Sequence, residues 1–191
     1  MIDYGKEDLR YSELYKLGYG SGPVGLLLKW VLDSGVQLKQ KTIVDCGCGN
    51  AALLTRGIEF FQYVGIDLAS YQIEKLNQST LMKKNNTEFI HGSIDSIPFK
   101  DQSYDIAWCC DVLEHIDEAS IDKVLKEISR VASLVILSVC TRASVILDSQ
   151  GNNLHLTVKN EEWWRKKISK VGKILHETAL CGNNISVIVE C

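Results

Sequence analysis

The sequence predicts one doubly wound α/β domain, a mainly parallel seven-stranded sheet that ends in an antiparallel C-terminal hairpin. Three observations carry that expectation. The β-branched run Thr42-Ile43-Val44 leads into Asp45 and then into the turn Gly47-Cys48-Gly49, the strand-to-turn junction where such sheets hold a nucleotide. Further strand-like runs, starting at Gln62, Glu88, Ser103 and Ser133, alternate with segments of helical period. Two closing runs, 173–180 and 185–190, flank Cys181-Gly182-Asn183-Asn184, a composition that turns a chain back on itself.

Bulk properties narrow the class. A length of 191 residues with 46% hydrophobic and 24% charged residues suits one domain with a full core. A net charge of −3 argues against a nonspecific nucleic-acid binder, although Arg165-Lys166-Lys167 is a small basic patch. No apolar run reaches membrane-spanning length, and Met1-Ile2-Asp3-Tyr4 lacks the start of a signal peptide. A cytoplasmic protein is expected. The seven cysteines are then free thiols in a reducing compartment. Cys46-x-Cys48 and Cys109-Cys110 lack the spacer of a zinc knuckle, and neighbours on a strand point to opposite faces. No metal site is expected.

Taken in order, residues 6–19 carry Leu9, Leu14 and Leu17 among Tyr11, Tyr15 and Tyr19 at helical spacing. Gly18-Tyr19-Gly20-Ser21-Gly22-Pro23 breaks that pattern. A second helix follows from Pro23 to about Ser34, with Leu26, Leu27, Trp30 and Val31 as its buried stripe. Residues 1–40 then form a helical cap on a core of 41–191. After the glycine turn, Ala51-Ala52-Leu53-Leu54 opens a helix whose unpaired N–H groups would face the ligand. Gly47, Gly49 and Ala52 satisfy the dinucleotide pattern, and Asp67 lies 20 residues after Gly47. A nicotinamide-dependent oxidoreductase is therefore one reading. Leu68-Ala69-Ser70 enters a helix carrying Ile73, Leu76 and Leu81. The segment 117–131 is a helix with Ile121, Val124, Leu125 and Ile128 in register. A polar loop, 141–159, is long enough to be functional. A helix from Glu161 to about Val171 precedes the closing strands.

Four segments separate the readings. Val44-Asp45-Cys46-Gly47-Cys48-Gly49-Asn50 resembles the first motif of class I S-adenosylmethionine-dependent methyltransferases, which usually have a glycine where Ala51 stands. Gly65-Ile66-Asp67 resembles their second motif. Glu88 to Phe99 resembles the segment that edges the adenine, with Ser93 in place of the usual acid. Asp111-Val112-Leu113-Glu114-His115-Ile116 resembles the loop after their fourth strand nearly letter for letter, and dehydrogenases do not carry it. The resemblance implies a Rossmann-like methyltransferase domain with S-adenosylmethionine against Asp45, Gly47, Cys48, Gly49, Asp67, Leu68, Ser93, Ile94 and Cys110. It implies that Asp45 lies near the methionine ammonium and that Asp67 binds the ribose.

The reaction so implied is methyl transfer to oxygen or nitrogen of a small-molecule or sugar acceptor. An Asn/Asp-Pro-Pro-aromatic string is absent, since Pro23 and Pro98 are the prolines present, which lowers nucleobase amino groups as acceptors. His155 and His115 are the candidate bases. A cofactor-binding partner subunit without catalysis is the further alternative, and oligomeric state is open.

Overall fold

The computed structural model describes residues 3–20, 22–80, 82 and 86–191. Leu81, expected on a helix, and Ser21, in the glycine break, lie outside the described residues. The helices are α1 (Tyr4–Lys16), α2 (Val24–Asp33), α3 (Ser70–Gln78), α4 (Ile121–Val131) and α5 (Glu161–Ile168). The strands are β1 (Thr42–Cys46), β2 (Gln62–Asp67), β3 (Thr87–His91), β4 (Tyr104–Cys110), β5 (Ala132–Cys140), β6 (Lys173–Thr178) and β7 (Asn184–Glu190).

The seven strands form one sheet in the order β3-β2-β1-β4-β5-β7-β6. The first five run parallel, and β7 runs antiparallel to both β5 and β6. Alternation along each strand sorts side chains between two cores. Val44, Cys46, Ala107, Cys109 and Leu137 meet α4 and α5 on one face. Ile43, Tyr63, Ile106, Trp108 and Ile136 meet α2 and α3 on the other. Burial on both faces explains why β1 and β2 read as continuous apolar runs. The order of the sheet reverses between β1 and β4, so the loops after β1 and β4 diverge at the carboxyl edge and leave a crevice.

Four local expectations are corrected. On and just after α1, Leu9 and Leu17 are 68% and 83% exposed, and only Leu14 of the expected leucines is buried. The inner side of that segment is instead made by Tyr11, Tyr15 and Tyr19, which line the crevice. Amphipathic rings suit a wall that is apolar in body and polar at its tips. On α2, Leu26 is exposed, and Val24 and Leu28 join Leu27 and Val31 in the core. No α-helix follows the glycine turn: residues 51–53 turn, and a 3₁₀ segment Leu54–Arg56 ends at Gly57 with φ 72°. Ala51 itself takes φ 54°, a left-handed conformation that starts no helix. Finally, the segment 117–120 is a turn in which the Ser120 hydroxyl donates to Asp117, and α4 begins at Ile121.

The long loop is ordered rather than irregular. Leu147 bridges Asn153, and Asp148 accepts from the amides of Gln150 and Asn152 at 2.9 and 2.8 Å. The Arg10 guanidinium reaches this loop from α1, with Nε 3.1 Å from Asp148 and Nη2 donating to the Asn153 carbonyl at 3.1 Å.

Candidate functional site

Two adjoining cavities occupy the crevice, with Gly47, Tyr15, Tyr19, Asp111 and His115 in both walls. The larger, about 440 Å³, is bounded by Asp67, Leu68, Ser93, Ile94 and Val112. The smaller, about 220 Å³, is bounded by Asp45, Cys48, Gly49, Cys110, Glu114 and His155. Every residue expected from the sequence to touch a cofactor therefore lines one of them.

The glycine turn is stitched to β2 rather than held open. The amides of Gly47 and Cys48 donate to the Ile66 carbonyl at 2.8 and 3.0 Å, and the Gly49 amide donates to Asp67 Oδ2 at 2.8 Å. Positive φ at Gly47 and Gly49, 78° and 51°, permits this path. A methyl on Gly47 would meet Val112 Cγ2 at 2.5 Å. The expected helix N-terminus with free N–H donors is thus not present here. A pyrophosphate needs such donors, so this turn is poorly built for a dinucleotide and compatible with a cofactor that carries no phosphate.

Asp67 ends β2 and is 8% exposed. Its Oδ1 accepts from the Ala69 amide at 2.9 Å while Oδ2 takes the Gly49 amide. A carboxylate has about four lone-pair sites, so acceptor capacity remains toward the cavity. Capping of α3 is done by a different acid. Asp8 on α1 accepts from the Ser70 amide and hydroxyl at 2.8 and 2.9 Å. Ser93 donates to Asp95 at 2.6 Å, and Asp95 also receives Lys123 at 2.7 Å and the Tyr4 hydroxyl.

Asp45 lies at the end of β1, 5% exposed, and accepts from the Tyr63 hydroxyl at 2.6 Å. Burial pushes its pKa up to about 7, against the pull of that hydrogen bond. The same cavity holds the two histidines. They come from different loops, yet their rings meet edge to face with centroids 4.8 Å apart. Burial, aided by the neighbouring His155, lowers His115 to about 4. His155 is lowered by burial too. Glu114, not singled out from the sequence, is 0% exposed beside them. Burial and then the Asp111 charge hold its carboxyl well above the ordinary range. Its identity as a site residue was hidden because strand-and-helix patterning marks apolar positions, and a buried acid inside a matched motif leaves no periodic trace.

Residues 43–133 match a family described as a methyltransferase domain. With the sheet order and the two acids at the carboxyl edge, this match supports a class I S-adenosylmethionine-dependent methyltransferase domain, with S-adenosylmethionine as its cofactor. This sets aside the nicotinamide reading. The chain is 26% identical over 120 residues to a ubiquinone biosynthesis O-methyltransferase of Serratia proteamaculans, covering 61% of this chain and 50% of that protein. It spans about half the length of the first curated relatives it matches. A protein from Pyrococcus horikoshii superposes with a TM-score of 0.70 at 18% identity, covering 86% of this chain and 87% of the other. The 1,6-didemethyltoxoflavin-N1-methyltransferase of Burkholderia thailandensis, solved with S-adenosylhomocysteine bound, gives 0.69 at 9% identity, covering 100% of this chain and 91% of that one. At such identities the two structures speak to the fold alone. Among the described residues, no helix is long and apolar enough to cross a membrane.

Proposed function

We infer that the chain catalyses transfer of the sulfonium methyl of S-adenosylmethionine to a hydroxyl of a small molecule or sugar. The adenosine lies in the larger cavity with its ribose on Asp67, and the methionine ammonium lies on Asp45. The acceptor enters the smaller cavity. The observation that carries this reading is the meeting of His115 and His155 in the cavity that Asp45 and Gly47 also line. An alcohol is a poor nucleophile until its proton is drawn away, and imidazole nitrogens stand where that must happen. A volume of about 220 Å³ suits a small acceptor. The oxygen pair then forms the bond to the methyl carbon as the carbon–sulfur bond breaks and leaves its electrons on sulfur. Alignment within the closed crevice supplies much of the rate.

The test is methyl transfer from labelled cofactor to a panel of phenols, catechols and sugars, alongside amines of matching size. Labelled hydroxyl products, with turnover reduced in His155→Ala and cofactor affinity unchanged, are the expected result. Transfer to amines alone, or equal turnover by His155→Ala and His115→Ala, rejects the assignment of the acceptor site. Binding without any transfer would make the chain a non-catalytic subunit.

A further inference from the structure

The inner wall of the smaller cavity holds a buried carboxyl oxygen that lacks a donor, with two imidazoles beside it. Glu114, His115 and His155 each bring a ligating atom within 4.8 Å of the other two. Glu114 Oε1 accepts from the Cys140 amide at 3.1 Å, but its buried Oε2 has no hydrogen-bond partner among the described residues. An unmatched buried carboxylate oxygen is costly, so a complementary group belongs there. Both imidazoles are fixed from behind. His115 Nδ1 lies 3.0 Å from the Leu154 carbonyl, and His155 Nδ1 lies 2.6 Å from the Arg142 carbonyl. A carbonyl only accepts, so each Nδ1 carries the proton and each Nε2 offers a lone pair. Backing of that kind is what orients metal-binding histidines. The Tyr19 hydroxyl, 3.4 Å from His115 Nε2, is a long and neutral donor. It leaves Glu114 Oε2 without a donor.

We propose that Glu114, His115 and His155 bind one first-row divalent cation, of the zinc and cobalt kind, open to the acceptor cavity. Two imidazoles and one carboxylate leave a position for water or substrate, as three-ligand sites of catalytic metals do. Magnesium and calcium prefer all-oxygen sets and fit less well. Asp111 lines the same cavity and adds negative charge. The expectation of no metal rested on cysteine spacing. These ligands come instead from one turn after β4 and from the distant loop after β5, which only the fold brings together. With a cation bound, both Nε2 lone pairs would be spent on it, so the cation would take over from an imidazole base. It would lower the pKa of the acceptor hydroxyl, the proton would pass to solvent water, and the oxygen pair would attack the methyl as the carbon–sulfur bond breaks. That last step rests on the methyl-transfer reading; the metal site does not.

The experiment uses the full chain, stripped with chelator, and Co²⁺ as the probe in calorimetric titration and visible absorbance, without cofactor or acceptor. One equivalent should bind, with ligand-field bands and no thiolate charge-transfer band. His155→Ala should lose at least tenfold in affinity, and Glu114→Gln, which retains the shape and an acceptor for Cys140, should lose as much. Circular dichroism melts confirm that both variants are folded. A double Cys181→Ser/Cys191→Ser variant, lacking the exposed thiols, should bind as the parent does. No uptake by the parent, unchanged uptake by both site variants, or a thiolate band lost with the cysteines overturns the proposal. S-adenosylmethionine titrated into the stripped protein reports separately on the cofactor site, so the two readings fail independently.

Discussion

At the scale of single residues, the two acids at the ends of β1 and β2 make separable predictions. Asp67 accepts from two buried amides and, in the proposed complex, from the ribose. Hydrogen bonds to a charged acceptor contribute about 1.5–3 kcal/mol each, so Asp67→Ala should weaken cofactor binding about a hundredfold or more. A double-mutant cycle with a 2′-deoxyribose analogue separates ribose recognition from loss of the amide bonds. Independent, additive losses in calorimetry would remove the ribose from Asp67. Asp45 titrates near 7 in the free protein because burial penalises its charge. Its pKa is raised above the ordinary 3.8, so the stability it contributes is present at low pH and is lost as pH rises toward and through about 7. An ammonium partner needs the ionised form. Affinity for S-adenosylmethionine should therefore fall, approaching tenfold per unit, as pH drops below about 7. Asp45→Asn should bind weakly with no such slope, and a flat profile for the parent would detach the ammonium from this acid.

At the scale of elements, α1 is held over the crevice by acids that tie down its start and its middle. Asp8 caps α3, assisted by the Ser12 hydroxyl, which donates to Asp8 at 3.0 Å. Near the helix start, the Tyr4 hydroxyl reaches Asp95. Burial opposes ionisation of Asp8, but the Ser70 amide and hydroxyl and the Ser12 hydroxyl overcome it and lower its pKa. Asp95 is lowered in the same way, by Lys123, Ser93 and Tyr4 against burial. For lowered carboxyls the stability is present above the unfolded value, near 4, and is lost as pH falls through the folded value. Asp8→Ala should lower the melting temperature by several degrees at pH 7 and weaken cofactor binding, since Tyr11 and Tyr15 ride on α1. The variant's deficit should shrink below pH 4 in melts followed by circular dichroism. A deficit independent of pH would mean that packing, not the carboxylate, holds the helix. The glycine turn makes a second prediction at this scale. Gly47→Ala needs both a left-handed alanine and displacement of Val112, and should cost about 1–2 kcal/mol from the backbone alone.

At the scale of the molecule, the two-core arrangement decides which thiols solvent can reach. Cys46 and Cys109 lie in one core and Cys48 in the other, all buried, while Cys181 and Cys191 are exposed. Burial raises the pKa of the buried three, which removes the reactive thiolate as well as access. A short pulse of iodoacetamide on the native protein should label Cys181 first and Cys191, whose thiol partial burial pushes up to about 11, more slowly, with the buried three modified only after denaturation, as read by peptide mass spectrometry. Replacement of Cys46 and Cys48 by alanine should leave cofactor binding measurable. Rapid native labelling of either would show that the turn opens far more often than its bonds to Ile66 and Asp67 imply.

The sequence by itself determined the fold class, the seven strands and the antiparallel ending, because these rest on local signals, while the cofactor followed from the resemblance of four segments to a known family. β-branched runs mark strands, glycines with positive φ mark the turn, and acids sit at fixed offsets from both. The residues it nominated for the cofactor all line the two cavities of the crevice, since they follow strand ends along the chain. What tertiary structure alone decided are matters of which face meets which. Helical periodicity over residues 6–19 marked leucines and tyrosines alike; only docking against the crevice turned the tyrosines into its half-buried wall and left Leu9 and Leu17 in solvent. The same turn composition that could open a helix instead spent its amides on Ile66 and Asp67, because β2 pairs beside β1. His115 and His155 read as two alternatives in sequence. They form one cluster with Glu114 because β4 and β5 are adjacent, and their carboxyl-end loops must converge over the same edge of the sheet.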